Sequence, residues 1–150
     1  MPQSLAKIYI HLIFSTKNRE RMISDSIRKE LHEYMGGILN GHGCIPVEIN
    51  SEPDHAHILF LMTRTETLSE VVGQLKKSSN DWLKRTSSEY AQFYWQGGYA
   101  AFSVSKSQVE EVRQYIRNQR EHNQVKSFQD ELRAFFKAYE MEYDERYVWE

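Results

Sequence analysis

The spacing of apolar positions changes several times along this chain, and each change marks an element. Over residues 6–14 (AKIYIHLIF), Ile8, Ile10, Leu12 and Phe14 alternate with their neighbours, the period of a strand with one buried face. Ser24 or Asp25 then caps a helix over about 26–39, with Ile27, Leu31, Tyr34, Ile38 and Leu39 on one side and Gly41 beyond its end. Two short apolar runs, about 44–50 (CIPVEIN) and about 56–62 (AHILFLM), flank Ser51-Glu52-Pro53-Asp54 and predict a hairpin. Thr67 opens a helix to about 86, along which Leu68, Val71, Val72, Leu75, Trp82 and Leu83 recur. A Trp95-Gln96-Gly97-Gly98 turn leads into a strand over about 99–104. Ser107 caps a helix over about 108–122 bearing Val109, Val112, Tyr115 and Ile116, and a last helix covers about 128–138.

The resulting order is β-α-β-β-α-β-α-α. Its first six elements spell the split βαβ, or ferredoxin-like, arrangement: an α+β fold with an antiparallel sheet and helices on one face. The chain shows no internal repeat, low-complexity tract or long linker. Residues 1–150 therefore read as one domain, extended from about residue 127 by a C-terminal helix and a tail rich in acids and aromatics.

Composition narrows the class. The chain has 150 residues, 40% hydrophobic and 27% charged, which excludes a disordered or fibrous protein. No apolar run approaches the ~18 residues of a membrane span, and the opening MPQSLAK lacks an apolar signal core. A single cysteine, Cys44, leaves neither an internal disulfide nor a cysteine-based zinc site, so a reduced, cytoplasmic setting is expected. Net charge is −2, but it is unevenly spread. Residues 129–150 hold seven acids against three bases, so the first 128 residues carry a net of +2, compatible with a polyanionic partner.

Two clusters carry candidate chemistry. His55 and His57 stand two apart on the second strand of the hairpin and so share a face. They read either as a bidentate clamp for a divalent metal or as two histidines on a solvent-facing strand. The apolar run Ile58–Met62 that follows places this strand at the centre of the sheet, where a polar pair needs partners. Asp54, next to them, is either a turn residue or a carboxylate that orients an imidazole. His11 has the parity opposite to the apolar face of the first strand, which makes it a candidate neighbour of the pair. The second cluster is Tyr115 and Gln119, one helical turn apart. Tyr115 reads as a packing residue or as a hydroxyl nucleophile beside a carboxamide able to complete a metal's coordination.

Taken together these residues resemble the single-tyrosine HUH transposases of the IS200/IS605 insertion-sequence family. His55-Ala56-His57 fits the His-hydrophobic-His motif, and Tyr115 with Gln119 fits the family's Tyr-x-x-x-Gln helix. His11–Arg19 resembles its first strand and basic turn, Trp95–Val104 the tract into its last strand, and Tyr143–Tyr147 its C-terminal signature. The resemblance runs nearly the length of the chain. It implies a metal-dependent transposase that cleaves and rejoins single-stranded DNA with hairpin ends. His55, His57 and Gln119 would hold Mg²⁺ or Mn²⁺, and Tyr115 would form a 5′-phosphotyrosine. It also implies a homodimer in which the tyrosine helix of one subunit acts in trans on the other's His pair; residues 122–126 are then a hinge or a plain loop.

For DNA contact the candidate bases are Lys17 and Arg19, Lys76 and Lys77, and Arg113, Arg117 and Arg120, the last three on one helical stripe beside Tyr115. Aromatics near bases (Trp82, Tyr94, Trp95, Tyr99) are candidate stacking platforms. Two other readings stand beside the leading one. A host-adopted relative would process repeated palindromic elements with the same site. A non-catalytic ferredoxin-like nucleic-acid-binding module would use the histidines and Tyr115 only for packing.

Overall fold

The computed structural model describes residues 2–150. Its strands are β1 (Tyr9–Ser15), β2 (Ile45–Glu52), β3 (His55–Leu61) and β4 (Ala100–Val104). Its helices are α1 (Asp25–Gly41), α2 (Leu68–Thr86), α3 (Val109–Arg117), α4 (Gln119–Asn123) and α5 (Phe128–Ala138). The strands form one antiparallel sheet in the order β2-β3-β1-β4, the ferredoxin-like order, so β1 and β3 are central.

The alternation in β1 explains how the sheet divides. Leu12 and Phe14, with Ala56, Ile58 and Phe60 of β3, face α1 and α2 and form the main core with Leu31, Met35, Leu39, Val72 and Leu75. The two helices of the split motif thus lie on one face, as the pattern predicts. The opposite face presents His11, Ile13 and Ser15 beside His57 and His55, because the register pairs Ile13 with His57 and Ser15 with His55. That face is covered by the C-terminal helices. Ile116 of α3 packs on Leu59 and Val104, while Phe128, Leu132 and Phe136 of α5 pack on Ile13, Ala100 and Phe102.

Local chemistry accounts for most boundaries. Thr67 caps α2 by accepting from the Glu70 amide, and Ser127 caps α5 by accepting from that of Asp130. The expected helix over 108–122 is divided. α3 starts after Gln108, following a 3-10 turn that begins after Ser105 rather than being capped by Ser107. It ends at Arg117, where the Asn50 side-chain amide donates to the Ile116 carbonyl at 2.7 Å. The Asn118 carbonyl then accepts from Glu121 and His122 and starts α4. At the chain end, the Glu150 carbonyl accepts from the Gly98 amide at 2.8 Å and from Gln96 Nε2 at 3.0 Å. A Cβ at Gly98 would meet that carbonyl oxygen at 3.2 Å, so a side chain there would push the C-terminal carbonyl back by a few tenths of an ångström.

Candidate metal and nucleophile site

The site is built where β3, β1 and the C-terminal helices meet. His55 and His57 point from the first half of β3 toward α3, α4 and α5, and both are fully buried. His55 Nδ1 contacts Asp54 Oδ1 at 2.7 Å, and His57 Nδ1 contacts His11 Nε2 at 2.9 Å. Each imidazole is thereby held in orientation, with its Nε2 turned toward the helices. The candidate neighbours Asp54 and His11 both have contacts with the pair.

Tyr115 descends from α3 onto this face, its ring 6.0 Å from that of His57 and stacked on His122 at 4.6 Å. Gln119, the first residue of α4, is buried, with Oε1 3.4 Å from His55 Nε2. The break at Asn118 turns the Gln119 carboxamide inward beside the His pair. The four residues singled out from the sequence thus converge within one chain: the tyrosine helix completes the His pair of its own sheet. The exchange implied for a homodimer has the same parts, but here residues 124–127 turn the chain so that α5 folds back over the same sheet.

One participant was missed. Glu131 of α5 is buried at 3% exposure and accepts from His57 Nε2 at 3.0 Å, from the Tyr115 hydroxyl at 2.5 Å and from Gln119 Nε2 at 3.3 Å. One ligand atom each from His55, His57 and Glu131 lies within 4.8 Å of the others, a spacing able to hold a metal ion. The sequence did carry a signal: Glu131 falls inside the apolar stripe Phe128, Leu132, Phe135, Phe136, where an acid must be buried and partnered.

Electrostatics favour neutral His11 and His57 beside an ionised Glu131. Burial above all lowers the His57 imidazole below its usual range, against the pull of Glu131, and burial lowers His11 further. Burial acts to raise the Glu131 carboxyl, yet the contacts from His57 and Tyr115 overcome it and hold the group at about 2. Burial first, then the Glu131 charge, raise the Tyr115 hydroxyl well above the ordinary phenol value. Tyr115 is therefore protonated and hydrogen-bonded in this state.

The proposed DNA contacts fare unevenly. Arg113 and Arg117 both bind Glu48, at 3.2 and 3.0 Å, and Arg120 binds Asp25 at 2.8 Å and Glu52 at 3.3 Å. The stripe beside Tyr115 thus clamps α3 and α4 to β2 and α1, because edge strand β2 turns Glu48 and Glu52 toward these helices, and much of its charge is offset. Lys76 is also engaged: Nζ donates to the Gly98 carbonyl at 2.8 Å, and burial lowers its pKa to about 8. Lys77 is exposed on α2, across the sheet from the His pair. Lys17 and Arg19 remain exposed on the turn after β1, where Asn18 and Arg19 adopt φ of 59° and 54°. Arg19 lines an open cleft of about 800 Å³ that reaches His55, with Arg21, Lys126 and Phe128 also on its walls. Of the aromatics, Trp82 stacks on Tyr34 and Trp95 is buried, whereas Tyr94 and Tyr99 are 50% and 40% exposed.

A ferredoxin-like sheet carrying a His-x-His pair, with a tyrosine and a glutamine brought over it, defines a class, and comparison with known families agrees. The profile of the family described as Transposase IS200 like matches residues 4–119, and the chain belongs to that family. Among curated proteins it is similar to the ISDra2 transposase TnpA of Deinococcus radiodurans, 24% identical over 117 residues, spanning 73% of this chain and 81% of that one. A crystal structure of a candidate transposase from Deinococcus radiodurans R1 superposes with a TM-score of 0.62 at 24% identity, covering 79% of this chain and 98% of the other. A REP-associated tyrosine transposase bound to a REP hairpin superposes with a TM-score of 0.58 at 11% identity, covering 79% and 70%. Glu131 and α5 lie beyond the residues that the family profile matches.

Proposed function

We propose that this transposase cleaves and rejoins single-stranded DNA with Tyr115 as nucleophile, and that it acts on strands bearing hairpins. The observation that carries the reading is the convergence of the Tyr115 hydroxyl with His55, His57 and Gln119 in one buried cluster. Tyr115 Oη would form a bond to phosphorus as the P–O3′ bond breaks. The 3′ oxygen leaves as a hydroxyl, taking up a proton equivalent to the one Tyr115 gives up, and the 5′ end stays on the enzyme as a phosphotyrosine. Attack by another 3′-hydroxyl reverses the step. Ester replaces ester, so no external energy source is required.

The imidazoles on β3 and the Gln119 carbonyl oxygen suit a divalent cation completed by phosphate oxygens, Mg²⁺ or Mn²⁺. Such an ion, when bound, polarises the phosphate and stabilises the departing oxygen. The chain's own residues do the rest: Asp54 and His11 hold the imidazoles in orientation, and α3 holds Tyr115 over them. The 800 Å³ cleft beside His55, edged by Arg19, Arg21 and Lys126, supports entry of a phosphodiester strand from that side. Tyr94, with Lys84 Nζ 3.6 Å and Lys17 Nζ 5.8 Å from its ring centroid, suits contact with unpaired bases on the other side of the same turn. The hairpin bound by the REP-associated neighbour supports a hairpin-bearing substrate.

The test is covalent trapping. Labelled single strands from the flanks of its own gene, incubated with Mn²⁺, are expected to yield a denaturation-resistant adduct that EDTA abolishes and Tyr115→Phe lacks. Binding without an adduct in the wild type would favour the non-catalytic nucleic-acid-binding module.

A further inference from the structure

We propose that Glu131 is the carboxylate ligand of the divalent site, one oxygen taking the cation with His55 and His57 while the other holds the Tyr115 hydroxyl. The inference rests on the metal-dependent reading above and adds to it a residue outside the family's matched segment.

The hydrogen bonds argue for it atom by atom. Asp54 accepts from His55 Nδ1–H, so in the neutral ring that binds a cation it is Nε2 that carries the lone pair. Facing it at 3.4 Å is Gln119 Oε1, whose orientation is set because Gln119 Nε2 donates to Glu131. In that neutral form two acceptors face each other at 3.4 Å, an arrangement that a cation between them satisfies. Glu131 contributes a third acceptor group on the same point, in contact with His57 Nε2. In the structure His57 donates this Nε2 proton. Moving the proton to Nδ1, where His11 Nε2 lies at 2.9 Å, frees Nε2 as a ligand, and His11 turns from donor to acceptor. The pair thus changes tautomer without changing its charge.

Charge favours the same assignment. Two imidazoles and a carboxamide supply no negative charge to a dication, whereas hard cations such as Mg²⁺ and Mn²⁺ seek carboxylate oxygens. The opposing reading is that Glu131 is a plug, an anion occupying the position of the scissile phosphate until DNA expels it. One of its carboxylate oxygens lies within ligand spacing of both histidines, and helix α5 is anchored by Phe128, Leu132 and Phe136, so it reaches the site with no helix movement. This favours a ligand over a plug.

The experiment is Mn²⁺ binding to the full chain without DNA, followed by electron paramagnetic resonance and calorimetry. Glu131→Gln, nearly isosteric, is expected to weaken Mn²⁺ about tenfold or more, and Glu131→Asp to retain part of the affinity. Gln119→Ala is expected to cost less than Glu131→Gln, and His57→Ala to abolish binding. Affinity unchanged or increased in Glu131→Gln would overturn the assignment and identify a plug. Equal, negligible binding in wild type and His57→Ala would overturn it together with the metal reading itself. A readout free of substitution guards against misfolded variants: Mg²⁺ is expected to shift the carbon-13 resonance of the Glu131 side-chain carboxyl in the wild type, and an unmoved resonance at saturating Mg²⁺ overturns the assignment. Metal binding that follows this pattern while Tyr115 forms no adduct would uphold the ligand and remove the cleavage reading, so the two fail separately.

Discussion

A histidine can ligate a cation only through a bare nitrogen, and its neighbours decide which nitrogen that is. Asp54 settles the matter for His55 by accepting from Nδ1–H; burial acts to raise its carboxyl, but that hydrogen bond together with His55 and Arg21 beside it holds the group below the usual range. Replacing such a carboxylate costs about 10–100-fold in metal affinity in comparable sites. Asp54→Ala is therefore expected to weaken Mn²⁺ by roughly tenfold in calorimetry while leaving circular dichroism unchanged. At this scale the sequence showed the His pair, because two histidines before an apolar central strand are conspicuous. For Glu131 it carried only the signal of an acid inside an apolar stripe, not its partners His57 and Tyr115, which are 74 and 16 residues away.

Between elements, the decisive feature is the break at Asn118. Tyr115 and Gln119 stand one turn apart on any continuous helix, but α3 stops because Asn50, on edge strand β2, satisfies the Ile116 carbonyl. Asn50→Ala leaves that carbonyl unpaired and is expected to cost about 1–3 kcal/mol in urea unfolding, with slower adduct formation as Gln119 loses its placement. Helix α5 makes a simpler case. Its Ser127 cap accepts from the Asp130 amide at 3.1 Å, and Ser127→Ala is expected to destabilise by about 1 kcal/mol. The span of about 128–138 expected from the sequence agrees with the structure. The end of α3 was not readable there, since the group that terminates it comes from another element.

For the whole molecule, the arrangement of the site within one chain has a direct consequence. If each chain cuts with its own tyrosine, mixing Tyr115→Phe with His57→Ala protein yields no adduct; exchange across a homodimer would restore it. The covalent gel distinguishes the two. Stability should also depend on pH through His32, which ties α1 to β2 through Ser51 at 2.8 Å. Burial, with the Arg28 charge behind it, lowers His32 from 6.5 to about 4. The unfolded chain then binds the extra proton in that window, so stability is complete above about pH 6.5 and is lost as pH falls toward 4. His32→Gln is expected to reduce that pH-dependent loss by about 2 kcal/mol, measured by urea titrations at pH 4.5 and 7.5.

What the sequence determined by itself was whatever depends on near neighbours: the strand and helix periods, the Thr67 start of α2, the hairpin that carries His55 and His57, and the central place of β3. The alternation of β1 even set His11 on the face of the pair. What only the tertiary structure decided was which distant groups meet there. Edge strand β2 turns Glu48 and Glu52 toward Arg113, Arg117 and Arg120, so a stripe that reads as a DNA contact becomes a clamp. The chain after α4 folds back, so an acidic C-terminal segment delivers Glu131 to the histidines. Local propensity acts over a few residues, whereas the pairing of buried charges is chosen by packing of the whole chain.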